Sequence, residues 1–277
     1  MKKLTFLAVL LIGSVAARAD DTVTEDIRFS SHGVNLAGSI VFPTTEIKAA
    51  IVFVHGSGPA KRPIYWAERF AADGIAALVY DKRGVGESGG EYEQNQNVSE
   101  KNLRLLADDA VAALRTLRAH SKLAGVKVGL AGISQAGWIV PLAAEKDQKT
   151  DFLVLWSGPV TRVSEEDIFS KYTRDRDDAR APTYQEALDA RRTPYIWPDF
   201  LGQDTNPADS LVKLSMPGLW VFGARDGSVP VDLSIERLQP LIDAGKPYEY
   251  ALMSSLGHNN MGETFSYVTD WIKRAVR

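Results

Sequence analysis

Three side chains far apart in this sequence, Ser134, Asp226 and His258, are of the types that together turn a hydroxyl into a nucleophile. A serine attacks a carbonyl only when a neighbouring base takes its proton. Imidazole suits that task, because a pKa of about 6.5 lets it accept and return a proton near neutrality. A carboxylate beside the ring holds the right tautomer and stabilises the protonated form. Ser134 stands in Leu130-Ala131-Gly132-Ile133-Ser134-Gln135-Ala136-Gly137, between a β-branched apolar run and a helix-like run. A serine wedged among small residues at a strand-to-helix turn is forced into tight, strained backbone. Its hydroxyl then projects from the end of the sheet, where a base and a substrate both reach it.

The chain has four histidines. His32 falls in a hairpin turn and His120 at the end of a surface helix, so both read as bystanders. His55 precedes a glycine loop upstream of the serine. His258, in Leu256-Gly257-His258-Asn259-Asn260, lies between the last strand and the last helix and is the candidate base. The candidate acid is Asp226, whose segment Gly223-Ala224-Arg225-Asp226-Gly227-Ser228 follows a strong apolar strand and presents one carboxylate in a tight turn. Its rival, Asp232, opens the next helix, where a carboxylate needs no catalytic role.

The elements that must position these groups follow from periodicity. Residues 23–29 and 34–42 read as a strand pair around Ser31-His32-Gly33. Short apolar runs at 50–54, 75–80, 126–130, 152–156, 218–222 and 248–252 read as further strands, mostly buried. Helices are expected over 65–72, from an N-cap at Ser99 through Leu103, Leu106, Ala110, Ala113 and Leu117, and over 135–145. A closing helix carries Phe265, Val268, Ile272 and Ala275. This alternation predicts an α/β fold: a mostly parallel sheet with helices on both faces and the first hairpin as an antiparallel edge. The stretch of approximately 159–216 breaks the rhythm. It is too long for a plain connection and should hold structure of its own. Its many charges read as a solvated helix face. Its aromatics, among them Tyr172, Tyr184, Tyr195, Trp197 and Phe200, are open between core packing and substrate contact.

The elbow around Ser134, the order serine–acid–histidine, and Asp81-Lys82-Arg83-Gly84-Val85-Gly86-Glu87-Ser88 together resemble the α/β-hydrolase superfamily, in its serine esterase and serine aminopeptidase-like branch. One departure is Ala136, which stands where a last glycine is usual; Gly137 follows at once. The resemblance implies an α/β-hydrolase domain over 20–277, with a helical cap inserted after the sixth strand. It places the base after the last strand, where His258 lies. It also implies that the oxyanion is held by the backbone N–H groups of Gln135 and, within His55-Gly56-Ser57-Gly58-Pro59, of Ser57. Asp81 and Arg83 are expected to tie loops together beneath the site. A phosphate cradle at that glycine loop would need a Lys-Ser/Thr pair that Pro59-Ala60-Lys61-Arg62 does not supply.

Residues 1–19 read as an export signal: Lys2-Lys3, an apolar stretch too short to span a bilayer, then Ala17-Arg18-Ala19 before Asp20. A periplasmic or secreted protein is therefore expected. The absence of cysteine rules out a lipidated cysteine, and a domain of this size needs no disulfides. A net charge of −3 gives no basic footprint for nucleic acid. No membrane anchor, obligate protein partner, metal or organic cofactor is expected. The expected activity is hydrolysis of small carboxylic esters through an acyl-enzyme. A serine peptidase with the same triad is the alternative, and an inactive binding protein on the same fold a lesser one.

Overall fold

In all but one of its inner strands the chain is apolar at every position, which suits strands covered on both faces. The computed structural model describes residues 22–94 and 97–277; the expected signal at 1–19 lies outside them. β3 (Ala49–Val54), β4 (Ile75–Tyr80), β5 (Val128–Ile133), β6 (Leu153–Trp156), β7 (Gly218–Gly223) and β8 (Tyr248–Met253) pair in parallel. β1 (Thr22–Ser31) and β2 (Val34–Pro43) form the antiparallel edge, and the sheet order is β1-β2-β4-β3-β5-β6-β7-β8. His32 and Gly33 take φ of 49° and 73°, the two left-handed residues of a two-residue hairpin turn whose twist matches the strands.

Alternate residues of each inner strand feed opposite cores. Val52, Val54 and Leu130 pack with α2 (Glu100–Arg118), α3 (Ala136–Asp147) and α7 (Val231–Asp243). Ile51, Phe53 and Ala131 pack with α1 (Ile64–Ala72) and α8 (Met261–Ala275). Ser99 caps α2 by accepting from Asn102 N at 3.2 Å. β5 begins and ends later than its β-branched run predicts: Ala131 and Gly132 pair with β3, and Ala131 to Ile133 pair with β6, so the strand runs directly into Ser134.

Between β6 and β7 lie α4 (Val163–Thr173), α5 (Tyr184–Asp189) and α6 (Ala208–Leu211). Ile168, Phe169 and Ala187 form a small third core against which Tyr184 and Tyr195 pack, so these two aromatics serve the insertion itself. Trp197 packs on the main core, whereas Phe200 is exposed.

The Asp81 loop is a buried tie. Asp81 accepts from Arg62 N at 2.8 Å and Glu87 N at 2.9 Å. Arg83 pairs with fully buried Asp109, its Nε 3.0 Å from Oδ2. Removing one partner of a buried pair strands the other charge, so Asp109→Ala is expected to cost about 3–5 kcal/mol, read as a lower urea midpoint at unchanged slope. A loss under about 1 kcal/mol would show that water reaches Arg83.

Candidate active site

Ser134 follows β5 at φ 55°, a left-handed conformation that costs a non-glycine residue about 1–3 kcal/mol. Neighbours hold it there. Ser134 N donates to Trp156 O at 2.9 Å, and Gly137 N donates to Ser134 O at 2.8 Å. Two glycines make room for the turn. A methyl on Gly132 would lie 2.4 Å from Ala136 Cβ, and one on Gly137 would lie 2.4 Å from Pro159 Cδ. Ala136 is therefore tolerated because Gly132 and Gly137 make the close approaches.

Asp226 follows β7 and His258 follows β8, two strands along the same carboxyl edge. The buried Asp226 lies 2.9 Å (Oδ2) and 3.0 Å (Oδ1) from His258 Nδ1, and its Oδ1 also accepts from Ser228 N at 2.8 Å and Val229 N at 2.9 Å. Asp232 faces elsewhere: it accepts from Tyr184 N at the start of α5. Among the described residues Ser134 Oγ makes no hydrogen bond. The serine and the histidine are linked through the end of β6, where Trp156 O receives Ser134 N and the next residue, Ser157, donates its hydroxyl to His258 O at 2.8 Å.

Among the described residues neither Ser57 N nor Gln135 N has an acceptor in the protein. Their loops touch at the serine, since a methyl on Gly56 would lie 3.4 Å from Ser134 Cβ. These are the two donors expected for an oxyanion. A cavity of about 280 Å³ adjoins them, walled by Phe53, Gly56, Trp66, Ile133, Asn259 and Met261. Three of its walls are sequence neighbours of Ser57, Ser134 and His258.

Two groups escaped the reading of the sequence. Asp177, in the insertion, is exposed as expected of that charged stretch, yet it also braces the site: its Oδ1 accepts from His258 N and from Gly227 N, both at 3.1 Å. Gly257 and Gly227 permit that approach, since methyls there would lie 1.8 Å from Asp177 Oδ2 and 2.0 Å from Arg176 O. Burial disfavours a charged His258, but the bonded Asp226 carboxylate, with Asp177 and Asp175, outweighs it and holds the imidazole above its ordinary 6.5. Burial, then Asp175, Asp167 and Asp226, pushes nearby Glu166 up to about 8. The second group is Lys82, buried beneath the Ser57 loop. The other histidines are structural: His32 meets Asp108, His120 meets Glu25, and buried His55 stacks edge-on against Tyr80.

A serine on a strained strand-to-helix elbow, with a mostly parallel eight-stranded sheet beneath it, defines an α/β-hydrolase. Within that class, the chain belongs to the family described as serine aminopeptidase, S33, whose sequence profile matches residues 45–186. It is similar to an esterase of Pyrococcus furiosus (TM-score 0.65, 17% identity, 96% of each chain covered). An acylaminoacyl peptidase of Pyrococcus horikoshii is similar over 93% of this chain and 42% of its own (TM-score 0.67, 17% identity). At these identities the likeness is one of fold. Over 127 residues, 45% of this chain, it is 32% identical to the quorum-quenching protein AidA of Acinetobacter baumannii. Over 130 residues, 43% of this chain, it is 29% identical to polyketide transferase claH of Penicillium crustosum. Each match spans 40% of the relative's length.

Proposed function

We propose that this hydrolase cleaves carboxylic esters with a small or medium acyl group, through an acyl-enzyme on Ser134. The observation that carries the reading is the buried Asp226–His258 contact at 2.9 Å, set on the sheet edge that also bears strained Ser134. Ser134 Oγ attacks the ester carbon while His258 Nε2 takes its proton. The carbonyl oxygen becomes an anion between the N–H groups of Ser57 and Gln135. The C–O bond to the alcohol breaks, His258 returns the proton to the leaving oxygen, and water then repeats the sequence to free the acid and Ser134. The largely apolar cavity beside Ile133 and Met261 suits the acyl chain. The chemistry so described uses no metal or cofactor, and the partner is a small-molecule ester. Export through residues 1–19 belongs to the same proposal and would give a mature protein starting at Asp20.

A peptidase reading has its own support. The family is described as serine aminopeptidases, and the carboxyl of Glu166 lies near those of Asp175 and Asp226, a cluster that would suit a substrate's ammonium group. Intact-mass analysis after fluorophosphonate treatment, with turnover of p-nitrophenyl acyl esters beside aminoacyl anilides, separates the readings. One adduct, on Ser134, and faster ester turnover are expected. Faster anilide turnover would favour the peptidase, and a well-folded protein without an adduct would overturn both.

The base must be neutral to accept the serine proton, so activity falls on the acid side as His258 charges. The acid limb of kcat/KM is expected above 6.5, because the folded environment favours the imidazolium. Asp177→Asn keeps an acceptor for the two loop N–H groups but removes a negative charge. It should therefore move that limb to lower pH; an unmoved limb would remove Asp177 from the electrostatics of the base.

A further inference from the structure

Lys82 is 1% exposed, yet among the described residues no carboxylate lies within ion-pairing distance of it. Its ammonium donates to Gly56 O at 2.8 Å, Gln135 Oε1 at 2.9 Å and Gly58 O at 3.1 Å. All three acceptors are neutral. A cation so placed loses its hydration for partners that carry no charge, an arrangement that stability alone does not favour. Burial accordingly brings its pKa down to about 8.

The acceptors are the informative part. Gly56 O and Ser57 N–H belong to one peptide unit, and a planar trans peptide directs its N–H opposite to its C=O. Whatever fixes Gly56 O therefore fixes the direction of the Ser57 N–H. A cation on that oxygen also draws electron density through the amide and strengthens the N–H as a donor. Gly58, at φ 88°, carries a second carbonyl of the same turn, on the far side of Ser57. The third acceptor is the side chain of Gln135, whose own backbone N–H is the second oxyanion donor. Gln135 Nε2 in turn donates to Asn97 Oδ1 at 2.9 Å and Asn97 O at 3.0 Å, so this side chain is held at both ends.

We infer that Lys82 is a positioning residue of the oxyanion hole: it aims and polarises the Ser57 N–H through the Gly56 carbonyl and fastens that loop to Gln135. The inference rests on the serine hydrolase reading and names a device within it. Lys82 touches no reacting atom; it prepares the two donors before charge develops on the substrate oxygen, when reorganisation would otherwise slow the step.

The test uses the absence of cysteine from the chain. Lys82→Cys removes the ammonium, and aminoethylation of that one thiol in denaturant, followed by refolding, restores an ammonium at almost the same reach. Wild-type protein taken through the same cycle is the control. Lys82→Cys is expected to lower kcat about a hundredfold with KM changed by less than about threefold, and aminoethylation to recover most of the loss. A folded Lys82→Cys with kcat within about threefold of wild type would overturn the inference. So would a modified protein whose thermal stability returns while kcat does not, which would make Lys82 merely structural. Should Lys82→Cys fail to fold, Gln135→Met decides: it keeps the backbone donor but cuts the tie, and it is expected to lower kcat about tenfold, no change being the contrary result. Fluorophosphonate labelling of wild-type Ser134 separates the two levels. Labelled Ser134 with an indifferent Lys82 sinks this inference alone, whereas unlabelled Ser134 in folded protein sinks the parent reading and this one with it.

Discussion

Replacing Ser134 by alanine is expected to lower kcat for ester hydrolysis by about a millionfold and to abolish the fluorophosphonate adduct. The size of the loss follows from the mechanism: without Oγ no acyl-enzyme forms, and the imidazole has no proton to receive. The residual rate would come from the oxyanion donors and substrate binding acting on water. Stability should change little. The backbone bonds from Ser134 N to Trp156 O and from Gly137 N to Ser134 O do not involve the side chain, and alanine at φ 55° bears the same strain. Near-wild-type turnover by the variant would mean that another group attacks the ester.

The second large effect belongs to Asp226→Asn, for which a fall in kcat of about ten-thousandfold is expected. The geometry says how the amide would sit. Oδ1 already accepts from Ser228 N at 2.8 Å and Val229 N at 2.9 Å, so the amide oxygen must stay there. The NH2 group then replaces Oδ2 opposite His258 Nδ1, now 2.9 Å away. Two donors cannot face each other, so Nδ1 becomes an acceptor and the ring proton moves to Nε2. That nitrogen can no longer take the serine proton. The thermal midpoint should hold within a few degrees while kcat collapses, and a loss below tenfold would point to another carboxylate, with Asp177 the first to examine.

The sheet, and the turns at its carboxyl edge that carry the candidates Ser134, Asp226 and His258, were legible because each depends on a short stretch of chain. Apolar runs such as 75–80 and 218–222 announce buried strands, and each site residue stands in the turn just beyond one. The boundary of β5 was not legible in the same way, since Gly132 and Ala131 look like turn residues until their pairing with β3 and β6 is known. Lys82 was illegible for a deeper reason. It sits between Asp81 and Arg83 like any charged loop residue, and its role depends on partners 26 and 53 positions away. Asp177 likewise looks like one more charge in a polar segment, because its partners lie 50 and 81 positions away. Local pattern reports which element a residue belongs to, and it is silent on what that element is folded against.

The grip of residues 173–178 on the acid and histidine loops bears on how this enzyme could be re-engineered. Thr173 Oγ1 reaches Gly227 O, Asp178 N donates to Arg225 O at 2.9 Å, and Asp177 meets His258 N. An insertion gripped in this way cannot be exchanged between homologues as a cassette. A chimera receiving a foreign stretch there would lose the braces under the loops that carry Asp226 and His258. Under the proposed mechanism its first defect would be slower proton transfer through His258, whatever the grafted segment was chosen to do.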